Sequence, residues 1–243
     1  MKDTVFTVVT NEKIAKNTYK TVLRGDTSHI TAAGQFVNIK LDGFYLRRPL
    51  SVCDREGDLL TIIYKVVGEG TEVMSRWAAG DEALVLTGLG NGYDLAPSGD
   101  TPLLIGGGAG VPPMYLLAKE LIAEGKRPVA ILGFGSSSEV FYKDELTALG
   151  VKVYVTTADG TEGIPGFVTD VFDKVDYSYF YTCGPEPMLK AVYDRSVTSG
   201  QFSFEERMGC GFGACMGCTC ETKYGNKRIC RDGPVLTKEE IIW

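Results

Sequence analysis

The sequence from residue 104 to residue 113 reads Leu104-Ile105-Gly106-Gly107-Gly108-Ala109-Gly110-Val111-Pro112-Pro113. Its apolar beginning predicts a buried strand over residues 101–105, and its prolines favour a helix over residues 113–124. A strand, a glycine-rich turn and a helix in this order form the first half of a βαβ unit. The stretch therefore favours a parallel sheet covered by helices.

The same alternation continues to about residue 200. Further strands are predicted over residues 129–133, 151–156 and 179–182, and further helices over residues 144–149, 167–172 and 187–198. The pattern begins after the turn-forming residues Pro97-Ser98-Gly99-Asp100. We therefore expect a doubly wound parallel α/β nucleotide domain over residues 99–200.

Residues 1–98 have a different pattern of predicted secondary structure. Short strand-like segments at residues 4–9, 19–23, 35–41, 59–66 and 83–86 are separated by Gly and Asp, and one short helix fits residues 71–79. Many short strands joined by turns are typical of a small antiparallel barrel. An N-terminal antiparallel β-barrel domain is therefore expected over residues 1–98.

The remaining residues, 201–243, are rich in glycine and cysteine. Four of their cysteines, Cys210, Cys215, Cys218 and Cys230, follow the spacing C-x4-C-x2-C-x11-C. The first two intervals are typical of a plant-type [2Fe–2S] cluster, and thiolates suit iron with bridging sulfide. The glycines at positions 211, 213 and 217 allow backbone N–H groups to turn toward the sulfurs. We therefore predict a small C-terminal cluster domain with these four cysteines as ligands.

Alternatives stay open for the cysteines. A structural zinc site also uses four thiolates, although it usually pairs them as two C-x2-C units. Cys220 lies two residues after Cys218 and is able to replace it, but the spacing favours Cys218. Cys53 stands apart from the cluster, and the sequence assigns no role to it or to Cys220.

A flavin site is expected in the barrel. The candidate residues are Arg48, Pro49, Leu50, Ser51, Tyr64, Lys65, Val66, Gly70 and Thr71. The planar guanidinium of Arg48 suits a pyrophosphate, and Ser51 suits the polar edge of a flavin ring. Gly70 and Thr71 lie where a helix begins, so their N–H groups are able to face an anion. The alternative for Arg48 is a surface ion pair.

A nicotinamide nucleotide site is expected in the next domain. The glycines of the first stretch, Gly106, Gly107, Gly108 and Gly110, let the backbone approach a pyrophosphate at a helix N-terminus, although a plain tight turn is the alternative. A second segment, Cys183-Gly184-Pro185, resembles the Cys-Gly-Pro segment of the ferredoxin-reductase superfamily, which lies beside the nicotinamide ring. The alternative for Cys183 is a buried small side chain at a strand end. NAD is preferred over NADP because no Arg/Lys cluster follows Gly135 to hold a 2′-phosphate.

The order of these segments also resembles one family within that superfamily, the electron-transfer subunits of NAD-linked, class B dihydroorotate dehydrogenase. The matching segments are Arg48-Pro49-Leu50-Ser51, residues 106–113, Cys183-Gly184-Pro185, and the tail from Glu206 to Val235 with its four cysteines. The interval between Cys218 and Cys230 is short for the family. The resemblance implies FAD, a [2Fe–2S] cluster and NAD as cofactors, with electrons running from a partner's FMN through the cluster and FAD to NAD⁺.

The resemblance further implies an FMN-containing dihydroorotate dehydrogenase catalytic subunit as the partner, in a heterotetramer with two of each subunit. This places the chain in de novo pyrimidine biosynthesis. Three other functions stay open: a sibling subunit of an NADH-dependent ferredoxin:NADP oxidoreductase or sulfhydrogenase, a stand-alone diaphorase, and a zinc-stabilised binding module.

The composition of the chain excludes several classes of protein function. The chain has 243 residues, 44% of them hydrophobic, and a net charge of −6, so no broad nucleic-acid-binding surface is expected. Its single histidine, His29, excludes catalysis built on a pair of histidines. We expect no signal peptide and no membrane span, and therefore a cytosolic protein.

Overall fold

The N-terminal part of the molecule is a closed antiparallel barrel. The structure is a computed structural model that describes all residues, 1–243. The strands of the barrel are β1 (Lys2–Ala15), β2 (Thr18–Arg24), β3 (Phe36–Lys40), β4 (Arg48–Glu56), β5 (Leu59–Lys65) and β6 (Glu82–Leu89), in the order β1-β2-β5-β4-β3-β6. Strand β1 pairs with β6 and closes the barrel. Helix α1 (Glu69–Met74) connects β5 to β6. The expected barrel is confirmed.

A seven-stranded sheet follows the barrel. Its strands are β7 (Leu103–Gly107), β8 (Val129–Phe134), β9 (Lys152–Thr157), β10 (Ile164–Pro165), β11 (Phe180–Cys183), β12 (Gly200–Ser203) and, later in the chain, β15 (Val235–Thr237). The order is β10-β9-β8-β7-β11-β12-β15, parallel except for β15. Helices α2 (Pro112–Ala123), α3 (Lys143–Ala148) and α4 (Glu186–Arg195) connect strands of this sheet. The predicted parallel α/β architecture is confirmed.

The cysteine-rich tail is joined to both preceding parts. Its own hairpin consists of β13 (Thr219–Thr222) and β14 (Gly225–Arg228), followed by the short helix α5 (Ile229–Asp232). Strands β12 and β15 extend the seven-stranded sheet, and Cys218 and Cys230 share one apolar cluster with Phe36 and Leu86 of the barrel. The division of the chain at residues 98 and 200 remains a prediction, because the tail takes part in the sheet that precedes it.

Two predicted helices differ from the observed ones. The helix expected over residues 71–79 ends at Met74, because the side-chain amide of Asn11 donates hydrogen bonds to the carbonyls of Met74 and Trp77. The Met74 carbonyl also accepts the N–H of Trp77 in a turn, and the N–H of Ala78, which a continuing helix would use, donates to the Asp81 carboxylate. The segment expected as a helix over residues 167–172 is a 3₁₀ helix, Val168–Lys174. No helix of the structure is both long and apolar enough to cross a bilayer.

Candidate cofactor sites

One cavity, of about 390 Å³, lies between the barrel, the sheet and the tail. The barrel contributes to its lining seven of the predicted flavin residues, namely Arg48, Pro49, Leu50, Ser51, Tyr64, Lys65 and Thr71. Ala109 and Cys183 line it from the nucleotide-binding side. Its size is in the range of ligand sites in proteins. The structure thus brings seven of the nine predicted flavin residues and Cys183 to a common space.

Arg48 and Gly70 are packed against each other at the edge of this cavity. A Cβ atom at residue 70 would collide with the guanidinium of Arg48. The guanidinium donates to the carbonyl of Leu46 and lies 4.8 Å from the centre of the Phe44 ring. No carboxylate holds it in an ion pair, so the surface ion-pair alternative is not what the structure shows. A cation held in place by a carbonyl and an aromatic ring suits an anionic phosphate group.

The other predicted flavin residues of the barrel differ in how far they are available to a ligand. Tyr64 is 2% exposed, and its hydroxyl donates to Oδ1 of Asn11 at 3.2 Å. A ligand in the cavity would therefore contact only a small part of this side chain. Burial raises the pKa of Tyr64 to about 12. The Thr71 hydroxyl accepts from the N–H of Val67 at 3.0 Å and therefore serves the turn itself. Val66 and Gly70 do not line the cavity.

The glycine loop packs closely on the Cys183–Gly184 turn. A Cβ atom at Gly110 would collide with the carbonyl of Cys183, and one at Gly107 would collide with the sulfur of Met188. Gly106 is similarly confined, since its Cβ would lie 2.9 Å from the Cα of Val111. Gly108 differs, with a φ of +50° and open space on its Cβ side. Gly108 is therefore the glycine of this run whose free side is able to face a nucleotide.

Cys183 is a buried thiol at the carboxyl end of β11. It is 1% exposed, and burial raises its pKa to about 12, with the Glu205 carboxyl adding to the shift. A neutral, shielded thiol is a poor nucleophile. This supports the expected role of Cys183 as a lining residue rather than as a covalent catalyst. Gly184 follows with a φ of +156°, and Pro185 precedes helix α4.

The four predicted cluster ligands are arranged as two pairs. Cys210 and Cys215 lie together, because the N–H of Cys215 donates to the Cys210 sulfur at 3.4 Å. Cys218 and Cys230 form the second pair, with the N–H of Cys230 donating to the Cys218 sulfur at 3.4 Å. No three His, Cys, Asp or Glu side chains are grouped so that they could hold a single metal ion. Two pairs of thiols fit a group with two irons and four cysteine ligands.

The loop around the first pair supplies backbone donors. Burial raises the pKa of Cys210, but N–H groups of Cys215, Phe212 and Ala214 outweigh burial and lower the pKa to about 6, which favours the thiolate that iron requires. Gly211 and Gly213 have φ values of +79° and +91°. Gly217 does not use a positive φ; the residue before it, Met216, has a φ of +62° instead.

Cys220 lies outside both pairs. It is on strand β13, where its Cα partner is Lys227, and burial raises the pKa of its thiol. It also lines a second cavity with Glu205, Glu221 and Trp243. Cys220 is thus fixed on strand β13 and packs against the apolar cluster that contains Cys218 and Cys230, as a neighbour of the second pair.

Several residues that line the cavity between the barrel, the sheet and the tail were not predicted from the sequence. Most come from the end of β12 and the segment that follows it, and the others lie at the start of β3, just after β5 and just before β15. They are Ser203, Phe204, Glu205, Glu206, Met208, Phe36, Val67 and Pro234. Burial raises the pKa of the Glu205 carboxyl. No local motif marks these residues, because their place follows from the addition of β12 to the sheet. The individual site residues named from the sequence remain predictions.

Comparison with known families agrees with this geometry. Residues 205–242 match the iron–sulfur cluster binding domain of dihydroorotate dehydrogenase B, and residues 104–194 match the oxidoreductase NAD-binding domain. A dihydroorotate dehydrogenase B (NAD⁺) electron transfer subunit of Fusobacterium nucleatum is 45% identical, over 97% of this chain and 96% of the relative. One of Bacillus pumilus is 44% identical, over 99% of this chain and 98% of the relative.

Solved structures share the fold. An NADH-dependent reduced ferredoxin-NADP oxidoreductase, described for flavin-based electron bifurcation, has a TM-score of 0.89 and 29% identity, over 99% of this chain and 90% of that chain. A ferredoxin NADP⁺ reductase of Neisseria gonorrhoeae, with bound FAD and NADP, has a TM-score of 0.70 and 17% identity, over 80% and 90% of the two chains. The second likeness concerns the fold alone. With relatives above 40% identity along nearly its whole length, this chain belongs to the electron transfer subunits of NAD⁺-linked dihydroorotate dehydrogenase B, oxidoreductase subunits with an iron–sulfur domain and an NAD-binding domain.

Proposed function

We propose that this chain carries electrons between a catalytic subunit that contains FMN and NAD⁺, through a [2Fe–2S] cluster and FAD. The observation that carries the proposal is the common cavity. Arg48 and Ser51 of the barrel, Cys183 of the sheet and Met208, two residues before the first cluster cysteine, all line it. None of the four cluster cysteines lines the cavity itself, but Met208 brings the start of the cluster loop to its wall, so the proposal places the cluster beside the flavin and not in contact with it.

Each cofactor supplies a different part of this chemistry. A nicotinamide exchanges two electrons as hydride, an iron–sulfur cluster exchanges one electron, and a flavin is able to do both. The protein's part is to bind these groups side by side and to exclude water from the space between them. The buried thiol of Cys183 and the apolar side chains of Leu50 and Phe36 provide such a lining.

FAD is assigned to the barrel side of the cavity. Arg48 would hold its phosphates, Ser51 would face the ring edge, and Tyr64 and Lys65 at the end of β5 would border it, with Val66 directly behind them in the chain. Gly70 leaves the space for the Arg48 guanidinium. The ion pair between Lys65 and Glu139, with 3.3 Å between Nζ and Oε1, joins this side to the nucleotide-binding part of the chain. NAD is assigned to Gly108 and to the Cys183-Gly184-Pro185 turn.

The cluster loop is proposed as the surface that meets the partner. Cys215 is exposed there, and so are two apolar side chains of the same loop, Phe212 at 45% and Met216 at 55%. Exposed apolar residues beside a redox centre suit contact with another protein. The family name implies a catalytic subunit; its FMN, an assembly with two of each subunit and a cytoplasmic location are parts of the proposal.

Metal and flavin analysis of anaerobically purified protein tests the cofactors. We expect about two irons, two labile sulfides and one FAD per chain, together with flavin and charge-transfer absorption. Zinc without iron or labile sulfide would contradict the relay. Co-purification with an FMN-containing subunit, followed by dihydroorotate-dependent reduction of NAD⁺, tests the pathway.

A second function is favoured by one comparison. The whole chain superimposes on the NADH-dependent ferredoxin-NADP oxidoreductase structure with a TM-score of 0.89. A sibling subunit of that kind would use the same three cofactors with another partner. Pull-down from the native cells separates the two, since only one function requires a dihydroorotate-oxidising subunit.

A further inference from the structure

Asn38 is a buried polar residue between the barrel and the cluster loop. Strand residues alternate between the two faces of a sheet, so Val37 and Ile39 enter the core of the barrel whereas Phe36 and Asn38 lie on its outer face. Phe36 packs in the same apolar cluster as Cys218 and Cys230. Asn38 is thus the amide within an otherwise apolar contact between the barrel and the tail.

The side chain of Asn38 is directed to the first cluster ligand. Its Nδ2 donates to the carbonyl oxygen of Cys210 at 3.4 Å, across 172 residues of sequence. A Cβ atom at Gly211 would collide with this Nδ2, so the loop and the amide are in close contact. Asn38 is 1% exposed, and its Oδ1 is buried without a hydrogen-bond partner. A buried amide with an unmatched oxygen destabilises a fold, so packing alone does not account for Asn38.

The other side of Asn38 faces the proposed flavin strand. Its Cα partner across the ladder is Pro49, between Arg48 and Leu50. The guanidinium of Arg47 donates to the backbone carbonyl of Asn38 at 3.4 Å. One residue therefore connects the strand assigned to FAD with the loop that holds Cys210.

We propose that Asn38 is a positioning residue that holds the Cys210 loop against the flavin strand and thereby sets the reduction potential of the cluster and its rate of electron exchange with the flavin. Each exchange moves one electron, so one centre is oxidised as the other is reduced. Hydrogen-bond donors and charge near a cluster tune its potential. This inference rests on the proposed function, because it requires both cofactors.

Two substitutions of Asn38 separate the effect of losing the hydrogen-bond donor from the effect of adding charge near the cluster. Asn38→Leu has a similar size without a donor, and Asn38→Asp keeps the shape but adds a negative charge. Asn91→Leu is the matched control, because Asn91 also joins a barrel segment to the tail, with two hydrogen bonds to Val235 at 2.8 and 3.1 Å, but does not contact the cluster loop.

The measurements are flavin content, redox titration of the cluster followed by electron paramagnetic resonance, and stopped-flow reduction by NADH. Both Asn38 variants should keep FAD and reduce it at the wild-type rate. Reduction of the cluster should be slowed roughly two- to tenfold, the effect of one hydrogen bond. The potential should fall in both variants and fall further in Asn38→Asp, with altered g values, whereas Asn91→Leu should match the wild type.

The outcomes are distinguishable. Unchanged potential, g values and cluster reduction in both Asn38 variants would overturn the role of Asn38 and leave the relay intact. Loss of FAD together with the cluster in both variants would also overturn it, because Asn38 would then serve folding in general. Loss of the cluster alone, with Asn91→Leu unaffected, would support it. Wild-type protein without iron would overturn this inference and the proposed function together.

Discussion

Gly70 leaves the space that the guanidinium of Arg48 fills. A Cβ atom at residue 70 would collide with Nε and Nη2 of Arg48, although the two residues lie on different elements of the barrel. The Gly70 backbone itself is not in the left-handed region, so what this glycine provides is room for the present position of the Arg48 guanidinium.

Gly70→Ala is therefore expected to displace Arg48 and to weaken FAD binding about 10- to 100-fold, the effect of losing one charged hydrogen bond. Arg48→Ala should have the same effect, and the double variant should be little worse than either single one. Flavin content and fluorescence titration with FAD measure this. Gly68→Ala is the control, because no atom lies within 4 Å of its Cβ position. Equal FAD affinity in wild type and Gly70→Ala would refute the phosphate contact.

Cys215→Ser is expected to abolish the cluster while FAD and its reduction by NADH remain. The variant removes one thiolate of the first pair, and a hydroxyl is a poor substitute ligand for iron. Iron analysis and the visible spectrum measure the loss. Cys220→Ser should keep the cluster, because Cys220 is held on strand β13 outside both pairs. Electron transfer to the partner by Cys215→Ser would disprove the relay.

Gly110→Ala is expected to raise the KM for NADH and to slow flavin reduction about tenfold or more. Its methyl group would push the glycine loop away from the carbonyl of Cys183, and small displacements at a hydride-transfer site are costly. Steady-state and stopped-flow kinetics with NADH measure the effect, and FAD and iron content should stay constant. Gly125→Ala is the control: its φ of +80° makes it a strained substitution in the same part of the chain, but it faces open space. Similar kinetic losses in the two variants would show that lowered stability, and not the contact with Cys183, is the cause.

Lys119→Met is expected to lower the free energy of unfolding by about 1–2 kcal/mol, or Tm by a few degrees. Lys119 on α2 reaches Asp54 and Glu56 of β4, both at 2.8 Å, and so joins the barrel to the sheet. Without Lys119, the largely buried carboxylate of Asp54 would have no cation beside it. The hydrogen bond from Lys119 lowers the pKa of the Glu56 carboxyl. The contribution of the Lys119–Glu56 ion pair is therefore present above the ordinary glutamate pKa and is lost as the pH falls through the lowered pKa of Glu56.

Thermal unfolding of the wild type and Lys119→Met from pH 7 to pH 3 measures this dependence. The difference in Tm should be constant above about pH 5 and should shrink below about pH 4. Lys143→Met is the control, since Lys143 pairs with Glu162 at 3.0 Å within one part of the chain, and these two side chains are more exposed than Lys119 and Asp54. A difference that persists unchanged at pH 3 would exclude the Lys119–Glu56 ion pair as its source.

Much of the fold followed from local patterns. Strand and helix periodicity predicted the barrel and the parallel sheet, and glycines marked the turn between β7 and α2. The end of helix α1 was missed because the side chain that stops it, Asn11, lies 63 residues from the carbonyl of Met74. Strands β12 and β15 were missed because three or four residues carry no clear periodicity, and these segments become strands by pairing with β11 and with each other.

The sequence by itself determined the chemistry of the sites. The cysteine spacing, the glycine run and the arginine-proline-leucine-serine segment are local, because iron, phosphate and flavin each demand particular atoms within a few residues. Only the tertiary structure decided what those residues face. It showed that Gly110 packs on the carbonyl of Cys183, that Gly70 leaves room for the guanidinium of Arg48, and that Asn38 meets Cys210. These are contacts between residues far apart in the chain, and their geometry depends on how the barrel, sheet and tail pack together.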